Sequence, residues 1–156
     1  MKIEDAGKGA RRRSFFDRFR REEAPTGSAA PAAHATDHAA AVTDLDDTTF
    51  FGALDDHVTI ADFWAPWCGP CKALHPMFDA RATEHEGDTL RFVRVNVDQS
   101  PGVSAALDIM SIPTIIVFDA DGHETDREIG LPSKRRFDQL VRIASSLAAS
   151  SDRGAA

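Results

Sequence analysis

Apolar residues recur with two different periods between residues 42 and 147, and these periods predict alternating strands and helices. Runs rich in β-branched and aromatic residues predict strands at 42–45, 58–64, 90–97, 114–118 and 123–129. Helical spacing and helix-starting residues predict helices over 50–54, 69–85, 101–107 and 133–149. Pro76 falls inside the second helix, where its missing N–H predicts a kink.

The predicted order of elements is β-α-β-α-β-α-β-β-α. This order indicates an α/β fold, with a mixed central sheet flanked by helices on both faces. The run at 58–64 is almost continuously apolar, which is typical of a buried central strand. A tight turn at 119–122 is expected to join the last two strands as a hairpin.

The ends of the chain have a different composition. Residues 24–41 are mostly Ala, Pro, Gly, Ser and Thr without a large apolar side chain, which is typical of a flexible linker. We therefore expect a disordered N-terminal extension over 1–41, one domain over 42–149 and a disordered tail over 150–156. The segment 11–21 carries six Arg, one Asp and three Phe. It is either a solvated tail or a basic amphipathic helix that binds an anionic membrane surface or an acidic partner weakly.

Length and charge narrow the class of protein. A chain of 156 residues with 42% apolar residues is long enough for one core, and we expect a monomer. The net charge is −7, and since residues 1–40 carry +2, the remainder carries −9, which argues against nucleic-acid binding. No apolar run approaches the roughly 18 to 20 residues of a membrane span. Because no secretory signal pattern is present, we expect a cytosolic protein.

The two cysteines, Cys68 and Cys71, lie three positions apart where the central strand is predicted to meet a helix. This spacing is too short for a disulfide that stabilises the fold by closing a long loop, and it indicates redox or metal chemistry. A zinc site would need two more Cys or His ligands. No other cysteine exists, and the pair His34 and His38 in the linker lacks a third ligand. The helix N-terminus stabilises a thiolate, so Cys68 is the predicted nucleophile. Cys71, one turn later on the same face, is the predicted resolving cysteine.

Asp62 is an acidic residue within the apolar central strand. If its side chain faces the core, burial disfavours the charged form and allows proton exchange near neutral pH. The alternative is an outward-facing carboxylate. Four scattered histidines are predicted to lie at the surface: His57, His75, His85 and His123.

The segment ADFWAPWCGPCK at 61–72 resembles the active-site signature of thioredoxins. The likeness continues through NVDQSP at 96–101, SIPT at 111–114 and GLPSK at 130–134, and it covers residues 42–147. It implies the thioredoxin fold and an electron-carrying enzyme that reduces protein disulfides without a bound cofactor of its own. The resemblance also implies a flavin-dependent thioredoxin reductase as electron donor. Gly69 and Pro70 between the cysteines are similar to reducing members of the family, which favours reduction.

The same resemblance assigns roles to individual residues. Asp62 would exchange a proton with the resolving cysteine, and Arg94 stands where well-known bacterial thioredoxins have a lysine partner for that aspartate. An arginine prefers a bidentate carboxylate pair. The bond before Pro113 is expected to be cis, with the backbone of Ile112 binding an extended substrate segment. A flat apolar substrate surface around Cys68, for which ordinary loop packing is the alternative, would comprise Trp67, Gly69, Pro70, Ile112, Pro113 and Gly130.

The sequence is also compatible with a binding protein that has no enzymatic activity. The fold could serve as a binding or chaperone-like adaptor, tethered by the basic segment 11–21. Retention of both cysteines and of Asp62 favours the enzyme. A Cys71→Ser variant separates the two functions, because an adaptor tolerates the change and the enzyme stalls as a mixed disulfide.

Overall fold

The computed structural model describes residues 41–154. Its helices and strands follow the predicted order and lie within a few residues of the predicted bounds. The elements are β1 (Val42–Leu45), α1 (Phe50–Ala53), β2 (Val58–Trp64), α2 (Gly69–Glu84), β3 (Leu90–Asn96), α3 (Pro101–Ala106), β4 (Thr114–Phe118), β5 (Glu124–Ile129) and α4 (Lys134–Gly154). The predicted α/β fold is confirmed.

The strands form one mixed sheet in the order β1-β3-β2-β4-β5. β3 pairs in parallel with both β1 and β2, whereas β4 pairs antiparallel with β2 and with β5. β2 is therefore the central strand, and the chain leaves its carboxyl end directly into α2. The parallel register sets Asp62 on β2 beside Arg94 on β3.

Side chains of β2 alternate between two cores on opposite faces of the sheet, as the two-residue period of a strand requires. Val58 and Ile60 pack with buried residues of α2 and α4. Ala61 and Phe63 pack with buried residues of α1 and α3. Because Asp62 follows Ile60 by two positions, its side chain lies on the α2 face, beneath the helix that begins with the cysteines.

The last helix is longer than the sequence predicted. Ser133 precedes α4 and its hydroxyl accepts a hydrogen bond from the N–H of Arg136 at 3.2 Å, a helix cap. At the other end α4 continues to Gly154, so the expected tail at 150–156 is wrong over residues 150–154. The hydroxyls of Ser150 and Ser151 donate to helix carbonyls four residues back, which lets these polar residues remain helical.

Some predictions stay untested. Most of the extension 1–41, with its basic segment 11–21 and its linker, lies outside the described residues, as do His34 and His38. Pro76 lies inside α2, and its kink stays a prediction. No helix within residues 41–154 combines the length and apolar composition that a membrane span needs.

Candidate active site

Cys68 and Cys71 form a disulfide at the N-terminus of α2, with their Cα atoms 5.3 Å apart. Cys68 is the N-cap residue, and its extended backbone turns the chain from the loop after β2 into the helix. The N–H of Cys71 points at Sγ of Cys68 at 3.2 Å. Pro70 occupies the first turn, where a missing N–H costs no helical hydrogen bond. The sulfur of Cys68 therefore faces the positive end of the helix dipole, which favours its thiolate form.

The two sulfurs differ in access. Cys68 is 4% exposed, whereas Cys71 is fully buried. Both pack with Ala65, and Ile112 lies against this cluster. A disulfide arriving from solution meets Cys68 first, and Cys71 is shielded until a bond to Cys68 has formed.

The residues expected to form the substrate surface are brought together around Cys68. The peptide bond between Ile112 and Pro113 is cis, as predicted. Gly130 adopts a φ of 91°, which glycine tolerates, and its N–H donates to the carbonyl of Pro113 at 2.8 Å. Trp67 is exposed, with its indole N–H bonded to the carboxylate of Asp98 at 3.0 Å. Gly69 and Pro70 are exposed beside it.

Three further apolar side chains that the sequence analysis did not single out are exposed: Met110, Ile129 and Leu131. Each is a chain neighbour, within two positions, of Ile112 or Gly130. Sequence reasoning missed them because an apolar residue beside a strand is normally expected in the core.

Asp62 is fully buried, which excludes the outward-facing alternative. Neither carboxylate oxygen has a hydrogen-bond partner among the described residues. Two nitrogen atoms approach Oδ2 instead, Nε2 of His75 at 3.4 Å and Nε of Arg94 at 3.5 Å. The site thus holds a carboxylate that lies close to a histidine and an arginine and is hydrogen-bonded to neither.

Arg94 approaches Asp62 with one nitrogen and does not form a bidentate pair with it. The Nη2 atom of Arg94 bonds to Oδ1 of Asp79 on α2 at 2.5 Å, and its guanidinium carbon lies 5.5 Å from the ring centre of Phe78. The exposed carboxylate of Asp79 draws the guanidinium outward because ion pairing there costs less desolvation than at buried Asp62.

His75, predicted to lie at the surface, is only partly exposed, and its Nε2 atom is buried. Its side chain is 19% exposed and its ring meets that of Trp64 edge-on, with centroids 5.0 Å apart. A sequence signal was available, since His75 follows Cys71 by four positions, and such residues share one face of a helix. The signal was weak because the strand residue beneath that face depends on how the helix packs.

One group of side chains within residues 41–154 has ligand atoms close enough for a metal ion, and it lies away from the cysteines. Asp119, Asp121 and His123 bring ligand atoms within 4.8 Å in the β4–β5 turn. Oδ1 of Asp119 accepts the N–H groups of Asp121 and His123, so these contacts close the turn.

Comparison with known proteins matches the same part of the chain. The family model described as Thioredoxin matches residues 41–143. A thioredoxin of Staphylococcus aureus (strain Mu50 / ATCC 700699) is 35% identical over 101 residues, covering 65% of this chain and 95% of the relative. A thioredoxin of Staphylococcus saprophyticus subsp. saprophyticus is 34% identical over 101 residues, with the same coverage.

Proposed function

Because the chain belongs to the thioredoxin family, we propose a redox cycle in which the Cys68–Cys71 pair reduces disulfides of other proteins. The chain is a thiol-disulfide oxidoreductase of the thioredoxin type. The observation that carries the cycle is the cysteine pair at the N-terminus of α2, with Cys68 slightly exposed and Cys71 fully buried.

The cycle has two exchange steps. The Cys68 thiolate attacks a substrate disulfide, forms a mixed disulfide and releases one substrate thiolate, which takes a proton from solvent. Cys71 then loses its proton, attacks Sγ of Cys68 and releases the second substrate thiolate. Two electrons pass to the substrate, and the protein is left with the intramolecular disulfide. A dithiol donor restores the reduced pair by the reverse sequence.

Asp62 is the proposed acceptor for the proton of Cys71. Its carboxylate lies on the α2 face of β2, beneath the helix that carries the cysteines, and no hydrogen bond from within residues 41–154 holds its oxygens. A carboxylate oxygen without a hydrogen-bond donor has a lone pair open to a proton. In the return direction the carboxylic acid gives the proton back to the sulfur.

Substrate proteins are proposed to dock along the substrate surface defined by Trp67, Gly69, Pro70, Ile112, Pro113 and Gly130. Pairing of β4 with both of its neighbours begins at Thr114, so Ile112 lies just outside the ladder. An extended substrate segment beside Ile112 can add backbone hydrogen bonds there and present its disulfide to Cys68. Met110, Ile129 and Leu131 supply further exposed apolar area.

The direction, the donor and the location are parts of the same proposal. Gly69 and Pro70 between the cysteines favour a reducing couple, a flavin-dependent thioredoxin reductase supplies the electrons, and the protein acts in the cytosol as a monomer. Equilibration against glutathione buffers tests the direction through the potential of the pair. A value near or below about −250 mV supports a reductant, whereas one between about −180 and −120 mV indicates an oxidase or isomerase.

Trapping tests the assigned order of the cysteines. Reduced Cys71→Ser protein should form a stable mixed disulfide with a protein disulfide substrate, and Cys68→Ser should form far less. Release of fully reduced substrate by Cys71→Ser would contradict the resolving role. Unchanged biological activity of Cys71→Ser would favour the adaptor function instead.

A further inference from the structure

Asp62 has two neighbours that differ in what they can do with a proton. Arg94 stays protonated at all physiological pH values, and its guanidinium is already bonded to Asp79. Histidine as a residue type is able to take up and release a proton near neutral pH. Its Nε2 atom faces the same carboxylate oxygen at 3.4 Å. Of these two groups, His75 is the one able to take a proton from Asp62 and pass it on.

The polar atoms at this point share an unusual property. Both oxygens of Asp62, Nε2 of His75 and Nε of Arg94 are buried, and none has a hydrogen-bond partner within the described residues. Buried polar atoms in proteins are normally hydrogen-bonded, so a cluster of exceptions calls for a reason. Proton transfer offers a reason for the missing hydrogen bonds. A group that must gain and lose a proton in each cycle is hindered by a strong fixed hydrogen bond, because such a bond favours a single protonation state.

The position of His75 connects the buried carboxylate with solvent. His75 lies one helical turn after Cys71 on the same face of α2. Its ring contacts Trp64 on one side, and 19% of its side chain is exposed, whereas Asp62 is fully buried. The imidazole has two ring nitrogens, so one can face Asp62 while the other exchanges protons outward.

We propose that His75 is a positioning residue that carries the proton of Asp62 to and from solvent during the Cys71 half of the reaction. This inference rests on the proposed function of Cys71 and Asp62. When Cys71 attacks the mixed disulfide, its proton moves to the carboxylate of Asp62. Nε2 of neutral His75 accepts that proton, and the imidazolium releases one from Nδ1 to water. The 3.4 Å separation is long for direct transfer, and catalytic hydrogen bonds commonly tighten only in the reacting complex.

Charged groups around His75 come from three elements, and each enters the pH dependence. Asp62 lies on β2 and Arg94 on β3. Asp79 and Lys72 lie on α2 itself, four positions after and three before His75. Asp79 is bonded to Arg94, and Lys72 is exposed. Arg94 is thus shared between Asp79 and Asp62, and Asp62 is the carboxylate that faces His75.

Stopped-flow reaction of the reduced full-length protein with one equivalent of Ellman's reagent tests the proposal. The first release of thionitrobenzoate reports attack by Cys68, and the second reports attack by Cys71. With His75→Gln the second phase should slow about tenfold at neutral pH while the first stays within about twofold. The pH dependence of the second phase should differ between wild type and His75→Gln, whereas that of the first phase should be the same in both proteins.

His85 provides a matched control at the other end of α2. Its ring also contacts a carboxylate, that of Asp88 at 2.9 Å, and its side chain is 23% exposed. His85→Gln should leave both phases unchanged. The effect of His75→Gln should disappear in an Asp62→Asn background, because His75 acts through Asp62.

Several results would overturn the inference. Equal slowing of both phases by His75→Gln would indicate a structural role, and an unchanged second phase would exclude the relay. Ring resonances of His75 offer a check that does not require this variant, since their pH dependence must change when Asp62 becomes Asn. Failure of the proposed function has a different signature, which is absence of a second phase in the wild-type protein or its persistence in Cys71→Ser.

Discussion

Replacement of Asp62 by asparagine should make the protein more stable while slowing the resolving step. The substitution keeps the shape of the side chain and removes its charge. Asp62 is fully buried, and neither oxygen accepts a hydrogen bond within residues 41–154. Arg94 is not left without a partner by the change, because it keeps its ion pair with Asp79.

The size of the gain follows from the cost of burial. The effective penalty for burying an ion is several kcal/mol, whereas an unpaired neutral polar group costs about 1–3 kcal/mol. The nitrogens at 3.4 and 3.5 Å recover part of the ionic penalty. A net stabilisation of roughly 1–3 kcal/mol remains, which raises the melting temperature by roughly 4–12 °C for a domain of this size.

Thermal and urea unfolding of the oxidised proteins at neutral pH provide the measurement. Asp79→Asn is the control, since it makes the same substitution at a carboxylate that is 52% exposed and paired with the same arginine. Its free energy of unfolding should fall by no more than about 1 kcal/mol. A lower melting temperature for Asp62→Asn would refute the reasoning, because it would mean that the carboxylate is well solvated or firmly bonded in the folded protein.

Three further predictions concern other contacts. Asp47→Ala should lower the free energy of unfolding by about 1–2 kcal/mol in urea titrations, since the Asp47 carboxylate accepts hydrogen bonds from the N–H groups of Gly102 and Val103 at the start of α3. An unchanged free energy of unfolding would show that solvent replaces the carboxylate as acceptor. Leu74→Ala should lower the free energy of unfolding by about 2–5 kcal/mol because the side chain is fully buried in the core between the sheet, α2 and α4, and a loss below about 1 kcal/mol would contradict that packing. The hydroxyls of Thr48 and Thr49 hold the pKa of Asp46 below its ordinary value, so the stability it adds is present at neutral pH and is lost as pH falls through the lowered pKa. The stability difference between wild type and Asp46→Asn should therefore shrink below about pH 4, and a difference that grows there would contradict the sign.

Local sequence patterns determined the elements and the reacting pair. The apolar run at 58–64 is β2, the alternating run at 90–96 is β3, and the cysteines lie where β2 leads into α2. Two cysteines three positions apart at a helix start are brought together by the helix itself. That contact needs no other part of the chain, and its chemistry could therefore be predicted from the residues alone.

The helix end at Gly154 shows where local patterns mislead. Ser150 and Ser151 look like tail residues, because serine is a poor helix former in isolation. In the structure, apolar residues of the preceding turns pack on the sheet, and the serine hydroxyls bond back to helix carbonyls. Packing on the sheet stabilises the earlier turns, and because the helix is already formed there, adding further residues to its end costs little free energy.

The proton-handling part of the site was decided by tertiary structure. The sequence alone determined that Asp62 lies in an apolar strand and that His75 follows Cys71 by one turn. Which charged groups face Asp62 depends on the register of β3 against β2 and on how α2 lies across the sheet. Those two placements bring His75 to the carboxylate and turn Arg94 toward Asp79. They arise from burial summed over the whole core, which no local pattern contains, so the neighbours of Asp62 became visible only in the folded protein.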